Sequence, residues 1–484
     1  MTDIFANHVG GAWLAGSNAV ANVNPSDLSD VIGRYAQASA GDVAAAVDAA
    51  RASAEAWGAT GLERRASALD AIGRELMARS AELGELLSRE EGKPRAEGVG
   101  EVYRAGQFFT YYAGEVLRLQ GDKADSVRPD IEVDVTREPM GVVAVISPWN
   151  FPTATAAWKI APALAFGNAV IWKPANLTPA SAWALTEIIA RQDLPAGTFN
   201  LVMGSGSGVG QALVEAPGVD AVTFTGSLEV GRGVAVAAAR NLTKVQLEMG
   251  SKNALVVMDD ADLDVAVACA VAGGYSGTGQ KCTASSRLVV HRAVHDAFVD
   301  KLVAALGAMK GGHALEDGVT MGPVASEAQL ASNLAYIDLA RQEGCTIACG
   351  GERVQRATDG YFMSPALITG SSNAMRINRE EIFGPIAAVI EVGSYDEALA
   401  VTNDTEYGLT AGIVTRSLAR ATHFRRSART GCVMVNLPTA GTDYHVPFGG
   451  RKNSSYGPRE QGRYAAEFYT QVKTAYIRAG TPET

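Results

Sequence analysis

The chain has 484 residues, with 42 lysines and arginines against 52 aspartates and glutamates, and a net charge of −10 at pH 7. This length exceeds what one hydrophobic core accommodates, so two or three domains are expected. The acidic balance argues against nucleic-acid binding as the main function, and an apolar fraction of 47% excludes disorder as the main state. The sequence contains neither an apolar stretch long enough to span a membrane nor a recognisable signal segment, so a cytoplasmic protein is expected.

The first 140 residues are predicted to be short strands followed by long helices. Strands and turns are expected over the first 40 residues, and residues 42–57 form a helical pattern with Asp42 as its candidate N-cap. Amphipathic helices are predicted over 62–91 and 96–119. Residues 121–140 then alternate apolar and polar side chains, which predicts a strand.

Further along the chain, buried apolar runs alternate with helices. Strands are predicted at 142–146, 169–172, 199–202, 221–224, 245–247, 254–257, 287–290, 387–392 and 411–414. Helices are predicted at 154–165, 178–190, from about 209, 229–239, near 262–275, 294–306, 327–342 and 395–403. This alternation is typical of βαβ units, so the sequence predicts an α/β fold with parallel sheets.

The cysteines do not suggest a disulfide framework, because the number is odd and the chain is large. They are Cys269, Cys282, Cys345, Cys349 and Cys432. Cys345 and Cys349 have no second ligand pair nearby, and no metal site is predicted. Cys282 differs from the others because three glycines precede it within nine residues and Lys281 adjoins it. A neighbouring cation lowers a thiol pKa and favours a nucleophile; the alternative is a small buried thiol.

Two polar residues and two loops are candidates to act with this thiol. Glu248 ends a predicted strand, where an apolar setting raises a carboxyl pKa and suits a general base; a capping or surface role is the alternative. Asn150 lies in a loop between a strand and a helix, where its amide can stabilise an oxyanion or simply form a turn beside proline. The loop at 204–210 is out of register with the dinucleotide fingerprint. The loop at 224–227 precedes a helix whose N-terminus can bind phosphate.

Seven short segments, in their order and spacing, resemble the aldehyde dehydrogenase superfamily over essentially the whole chain. They are PWNFP (148–152), KPAN (173–176), FTGS (224–227), LEMGSKN (247–253), GQKC (279–282), EEIFGP (380–385) and PFGG (447–450). The resemblance implies a Rossmann-like cofactor domain, an α/β catalytic domain and a small β oligomerisation arm. These are expected at 1–120 with 141–249, at 250–440, and at 121–140 with 441–484, in a homodimer or homotetramer.

The resemblance also implies a mechanism of NAD(P)-dependent aldehyde oxidation through a thioester. Cys282 is the expected nucleophile, the Asn150 amide and the Cys282 N–H hold the oxyanion, and Glu248 activates the hydrolytic water. Lys159 and Glu460 match positions implicated in proton relay. The positions that match the cofactor site are Ile146, Ser147, Pro148, Trp149, Lys173, Ala175, Asn176, Gly206, Gly210, Phe224, Gly226, Ser227, Gly250, Glu381 and Phe383. In similar enzymes Lys173 binds the adenosine ribose, Ser227 the pyrophosphate and Glu381 the nicotinamide ribose, while Phe383 packs near the ring.

Two positions depart from the family pattern. The usual Glu-Leu-Gly-Gly is here Glu248-Met-Gly-Ser251, which is expected to tune the loop and keep the base. Many NAD-using members carry a glutamate where this chain has Asn176. That glutamate repels a 2′-phosphate, so its absence predicts that NADP is accepted and even preferred over NAD.

The expected substrate is a small aldehyde acid. The stretch 436–470 looks like α-ketoglutarate semialdehyde dehydrogenases, which make 2-oxoglutarate; succinate semialdehyde and broad-range aldehydes are the alternatives. The pocket positions suggested by the family are Phe151, Thr155, Trp158, Lys281, Thr283, Thr442, His445 and Phe448. Arg104, Arg287 and Lys281 are equal candidates to pair with a substrate carboxylate. A cofactor-free thiol esterase and a catalytically silent homologue are the alternatives from other classes.

Overall fold

The computed structural model describes residues 4–16 and 18–480. The strands are β1 Ile4–Phe5, β2 Asn7–Val9, β3 Ala12–Leu14, β4 Ala19–Asn24, β5 Asp27–Ala36, β6 Asp122–Asp125, β7 Glu132–Pro139, β8 Val142–Ile146, β9 Ala169–Lys173, β10 Phe199–Leu201, β11 Ala221–Thr225, β12 Lys244–Glu248, β13 Asn253–Val257, β14 Ser285–His291, β15 Thr346–Cys349, β16 Ala366–Ser371, β17 Ile386–Val392, β18 Thr410–Val414, β19 Cys432–Val435, β20 Ser455–Tyr456 and β21 Thr470–Ile477. The helices are α1 Ala40–Gly58, α2 Leu62–Ala78, α3 Ser80–Glu91, α4 Arg95–Val116, α5 Ala154–Ala165, α6 Pro179–Ala190, α7 Gln211–Glu215, α8 Leu228–Arg240, α9 Leu263–Gly274, α10 His295–Gly307, α11 Glu327–Gln342, α12 Arg376–Arg379, α13 Tyr395–Asn403, α14 Leu418–Ser427 and α15 Ala466–Tyr469.

The first large sheet has the strand order β20-β12-β11-β8-β9-β10-β2-β3. Its five central strands, β12 to β10, run parallel, and antiparallel neighbours flank them on both sides. Strands β8 and β9 are buried at every position, as expected for strands covered by helices on both faces. The apolar runs in the sequence therefore predicted this sheet correctly.

The second large sheet has the order β15-β16-β17-β14-β13-β18-β19 and is parallel except at the β15–β16 edge. Separate clusters of buried apolar side chains cover its faces, and other clusters cover those of the first sheet. Two parallel sheets with helices between their strands confirm the predicted α/β class. Among the described residues, no helix has the combination of length and apolarity that a membrane crossing requires.

A small antiparallel sheet, β21-β7-β6, joins two segments that are far apart in sequence. Strand β21 pairs with β7 along its whole length, from Thr470 opposite Pro139 to Ile477 opposite Glu132. Before β21, the chain returns to the first large sheet, where β20 pairs with β12 at its outer edge. The assignment of 121–140 and 441–484 to an oligomerisation arm, like the other domain boundaries, stays a prediction.

Two local predictions in the N-terminal helices are wrong. The N-cap of α1 is Ser39, whose hydroxyl accepts from the Asp42 N–H at 3.2 Å while Asp42 accepts from the Ser39 N–H at 2.7 Å. Asp42 therefore completes a capping box three residues inside the helix. The predicted helix over 62–91 is broken at Arg79, whose side chain bonds Glu75 and Glu82 on the two sides of the break.

Candidate active site

A cavity of about 240 Å³ lies where the carboxyl ends of the first sheet's strands meet loops that enter the second sheet. Ligands bind at the carboxyl ends of strands in open parallel sheets. The lining residues are Pro148, Trp149, Asn150, Phe151, Thr155, Trp158, Thr225, Gly226, Ser227, Glu248, Met249, Gly250, Cys282, Gln329, Glu381, Phe383, Leu409 and Phe448. The cavity thus brings together the thiol, the carboxyl and the amide that the sequence singled out.

The loop before Cys282 has an unusual backbone. Gly277, Thr278 and Gly279 all have left-handed backbone angles, with φ of 59°, 55° and 66°. A side chain at Gly279 would overlap the carbonyl of Gly384, so only glycine fits this approach. After the loop, the Asn253 amide donates to the Cys282 carbonyl at 2.7 Å. The backbone around Cys282 is therefore fixed on both sides, by the close approach of Gly279 to Gly384 before it and by the Asn253 side chain at its own carbonyl.

The predicted low pKa of the Cys282 thiol is wrong, although the charges of Lys281 and Cys282 do interact. Burial raises the pKa of Cys282 well above its usual range, and the nearby carboxyls of Glu381 and Glu248 raise it further. The Lys281 ammonium donates to the Ala272 carbonyl at 2.9 Å and to the Ser276 hydroxyl at 2.6 Å, so its hydrogen bonds go to other groups. With its pKa raised in this way, the thiol needs a base or a bound cation to form the reactive thiolate.

Glu248 ends β12 in a buried position. The Ser455 hydroxyl donates to its carboxyl oxygen at 2.6 Å, and a side chain at Gly449 would lie 2.8 Å from the other oxygen. Burial raises the pKa of Glu248 well above its usual range, with a further contribution from the charge of Glu460. A carboxyl with such a raised pKa can accept a proton near neutral pH.

The Asn150 amide faces the loop that carries the thiol. Its Nδ2 donates to the Gln280 carbonyl at 2.9 Å, which leaves the second N–H of the amide for another acceptor. The main-chain carbonyl of Asn150 accepts a hydrogen bond from the buried Lys93 ammonium at 2.6 Å. Lys93 also pairs with Glu101 at 2.7 Å, and that carboxyl accepts from the Thr153 N–H at the start of α5. This buried network fixes the Asn150 loop, and nothing in the sequence pattern predicted it.

A second cavity of about 510 Å³ adjoins the first and shares Thr225, Gly226 and Ser227 with it. Its predicted members are Ile146, Ser147, Lys173, Ala175, Gly206, Gly210, Phe224, Gly226 and Ser227, and Ser207, Gln211, Val214, Glu229, Val230, Gly233 and Val234 also line it. Ser227 is the N-cap of α8, which opens with free backbone N–H groups. Burial lowers the pKa of Lys173 to about 8.

Glu381 lines the first cavity, where its side chain is held against the turn after β12. The Ser251 N–H donates to its carboxyl at 2.8 Å, and a side chain at Gly250 would overlap the same group. Burial raises the pKa of Glu381 to about 7. Phe383 has a left-handed φ of 60° and packs edge-on against Trp149 at 5.4 Å between ring centres.

Lys159 and Glu460 form a buried ion pair behind the cavity wall. The Lys159 ammonium also donates to the Thr223 hydroxyl at 2.9 Å. Neither residue lines the cavity, but both charges act on Glu248: Glu460 raises its pKa and Lys159 lowers it. The pair therefore contributes to the electrostatics of the carboxyl.

Several predicted site residues lie outside the cavities. Asn176 is exposed beyond the end of β9, and His445 is exposed on the loop before Phe448. Lys281, Thr283 and Thr442 do not line the main cavity either. Sequence reasoning in turn missed Thr225, Met249, Gln329 and Leu409 in its wall. Thr225 directly follows a predicted strand and Met249 follows Glu248, so both were open to prediction, whereas Gln329 on α11 and Leu409 carried no signal.

Comparison with known proteins now decides the family. The sequence model of the aldehyde dehydrogenase family matches residues 13–475, which is nearly the whole chain. The protein belongs to the aldehyde dehydrogenase family. Within this family, the chain is 40% identical to the α-ketoglutaric semialdehyde dehydrogenase of Bacillus subtilis (strain 168), over 98% of each chain. It is 42% identical to the α-ketoglutarate semialdehyde dehydrogenase of Haloferax volcanii, over 98% of this chain and 99% of that one.

A solved structure shows the same fold. The betaine aldehyde dehydrogenase of Staphylococcus aureus in complex with NAD+ superimposes with a TM-score of 0.96, at 33% identity, over 99% of this chain and 96% of that chain. The likeness covers both large sheets and the small one. The resemblance seen in the sequence motifs is therefore confirmed over the full length of this aldehyde dehydrogenase.

Proposed function

We propose that this aldehyde dehydrogenase oxidises α-ketoglutarate semialdehyde, 2,5-dioxopentanoate, to 2-oxoglutarate with NAD(P). The observation that carries the substrate is the full-length similarity, at 40% and 42% identity, to two enzymes named for this substrate. The cavity that contains Cys282, Glu248 and Asn150 is consistent with it. The aldehyde carbon gives up its one hydrogen as a hydride and gains one oxygen from water, and the water releases two protons.

In the proposed mechanism, the Cys282 thiol gives its proton to a water molecule and its sulfur attacks the aldehyde carbon. The developing oxyanion accepts hydrogen bonds from the free N–H of the Asn150 amide and from the Cys282 backbone N–H. NAD(P), held by the residues of the second cavity, would supply the hydride acceptor for this carbon. Glu248 then takes a proton from a water molecule, which attacks the resulting thioester and releases the carboxylate and the thiol.

Several features of the second cavity fit a dinucleotide. Lys173 is buried at its floor and forms no salt bridge with the described residues, so a ligand hydroxyl or phosphate can pair with it. The N-terminus of α8 at Ser227 offers N–H groups to a pyrophosphate. Glu381, fixed by the Ser251 N–H, suits a ribose hydroxyl near the thiol. The wall of this cavity also contains the apolar side chains of Ile146 and Phe224 and the hydroxyl of Ser147.

A panel of aldehydes tests the substrate. We expect the highest kcat/KM for 2,5-dioxopentanoate, at least about 10-fold above succinate semialdehyde and pentanal, because specificity depends on contacts made with one substrate and not the other. NAD(P)H formation measures turnover. Equal kcat/KM across the panel would indicate a broad-range enzyme, and ester cleavage without any NAD(P)H formation would indicate a thiol esterase.

We further propose that NADP is accepted and preferred over NAD, because Asn176 replaces an acid that would repel a 2′-phosphate. The Asn176→Glu variant should lower kcat/KM with NADP by about 10-fold and leave kcat/KM with NAD within about 3-fold, since the added charge acts on the phosphate alone. Asn176→Gln keeps the amide and should leave the NADP to NAD ratio unchanged. A wild-type ratio that strongly favours NAD would contradict the proposal.

A further inference from the structure

The cation that recognises the substrate carboxylate can be chosen by elimination. Arg287 is excluded because it is buried and four of its five N–H groups are used: its guanidinium donates to the carbonyls of Lys252, Val401 and Thr402 at 2.8–3.2 Å and to Asn373 at 2.9 Å. These bonds tie it to the second sheet, where it joins structural segments. It lines neither the cavity with the thiol nor the adjoining one.

Lys281 is excluded for a similar reason. Its ammonium donates to the Ala272 carbonyl and to the Ser276 hydroxyl, on the side of the loop that faces α9. Lys281 and Cys282 do line one small cavity together, but its volume of about 20 Å³ is too small for a carboxylate, and Lys281 does not line the main cavity. Burial lowers its pKa to about 8, so part of the population is uncharged in mildly alkaline solution.

Arg104 remains, and a chain of aromatic rings connects it to the cavity. Its guanidinium lies 5.4 Å from the ring centre of Tyr444, which contacts Phe108 at 6.4 Å. Phe108 packs edge-on against Trp158 at 5.8 Å, and Trp158 lines the cavity together with Phe448. Arg104 is only half-buried on α4 and has no carboxylate partner among the described residues. Arg104 does not itself line the cavity, but its charge has no carboxylate partner among the described residues and lies beside the rings that lead outward from the cavity wall.

The wall between Arg104 and the thiol also contains an unused donor. The indole N–H of Trp158 is buried and has no acceptor among the described residues. A buried donor without a partner is unfavourable, so a ligand oxygen placed there gains a hydrogen bond without losing another. A five-carbon substrate spans roughly 6 Å from its aldehyde to its carboxylate, which suits an anchor at each end of the cavity.

We propose that Arg104 pairs with the carboxylate of the aldehyde acid at the cavity mouth, and that the Trp158 N–H donates to the oxygen on the adjacent carbon. This inference rests on the proposed function, since it assumes that an aldehyde acid is the substrate. Arg104 then determines specificity by charge, while the thiol, the amide and Glu248 act on the aldehyde whatever its tail. The aromatic rings between them keep the path apolar, which strengthens the ion pair.

The test compares charged and uncharged aldehydes in matched variants. In Arg104→Met, the ratio of kcat/KM for 2,5-dioxopentanoate to kcat/KM for pentanal should fall by about 10- to 100-fold, mainly through KM, because the ion pair forms already in the ground state. Arg104→Lys keeps the charge and should recover part of the ratio. Trp158→Phe should lower kcat/KM for 2,5-dioxopentanoate relative to 5-oxopentanoate, which lacks the second oxo group.

Arg128→Met is the matched control. Arg128 lies over the ring of Tyr476 at 5.3 Å, on the small sheet, and its loss should leave both rates unchanged. A wild-type preference for 2,5-dioxopentanoate that survives in Arg104→Met overturns this inference and leaves the proposed function standing. A wild-type enzyme that prefers succinate semialdehyde to 2,5-dioxopentanoate overturns the proposed substrate, and it still supports the inference if Arg104→Met abolishes its preference for succinate semialdehyde over butanal. A wild-type enzyme that prefers no aldehyde acid overturns both.

Discussion

Cys282→Ser is expected to lose dehydrogenase activity by about 1,000-fold or more in kcat/KM. A serine hydroxyl is a far weaker nucleophile than a thiolate, and no other side chain in the cavity wall carries a thiol. The side chains are nearly equal in size, so the cavity keeps its shape. NAD(P) binding, measured by fluorescence titration, should therefore stay within about 3-fold of the wild type, which separates a chemical defect from a folding defect.

Cys345→Ser provides the control for this experiment. Cys345 is a partly buried thiol beside Met375, on the second sheet's apolar cluster and outside both cavities. Its replacement should leave kcat/KM unchanged. Dehydrogenase activity retained in Cys282→Ser would overturn the thioester mechanism, because no covalent intermediate of that kind could then form.

Glu248→Gln is expected to slow thioester hydrolysis by about 100-fold or more while leaving the first turnover much faster, since a general base contributes about that much. The variant should therefore show a burst of NAD(P)H close to one equivalent per active site, followed by slow turnover. Glutamine preserves the contact with Ser455, so the loop geometry is kept. Stopped-flow absorbance measures both phases.

The pH dependence of the slow phase follows from the raised pKa of Glu248. The carboxyl holds its proton at low pH and cannot act as a base, so the wild-type hydrolysis rate should rise with pH as the proton is lost. Glu248→Gln has no such group and should lose this dependence. Glu391→Gln, an exposed carboxyl at the far end of β17, should behave as the wild type. A slow phase in Glu248→Gln that keeps the wild-type pH profile would exclude Glu248 as the base.

The sequence predicted the parallel strands well because their signal is local. Strand β8 and helices α5, α11 and α13 begin and end at the predicted residues, since buried apolar runs and apolar helix faces are set by neighbours in sequence. Strands β15 and β16 and helices α12 and α14 were not predicted. They lie in or beside segments rich in glycine and polar residues, where burial depends on distant partners.

The site was predictable where motifs carry it and unpredictable where tertiary contacts do. Cys282, Glu248 and Asn150 do line one cavity. The orientation of Lys281, however, depends on acceptors in α9 and in the loop that follows it, and adjacency in sequence suggested the opposite effect on the thiol. Ser455 and Lys93, which fix Glu248 and the Asn150 loop, reach them from 207 and 57 residues away.

The most direct measurement is the mass of the enzyme trapped during turnover. Glu248→Gln mixed with 2,5-dioxopentanoate and NAD(P), then quenched in acid and digested, should yield the peptide containing Cys282 with an added mass of 2-oxoglutarate less one water. The same peptide should be unmodified when NAD(P) is omitted, because oxidation must precede thioester formation. An unmodified Cys282 peptide alongside full NAD(P)H formation, or the adduct on another residue, would contradict the account.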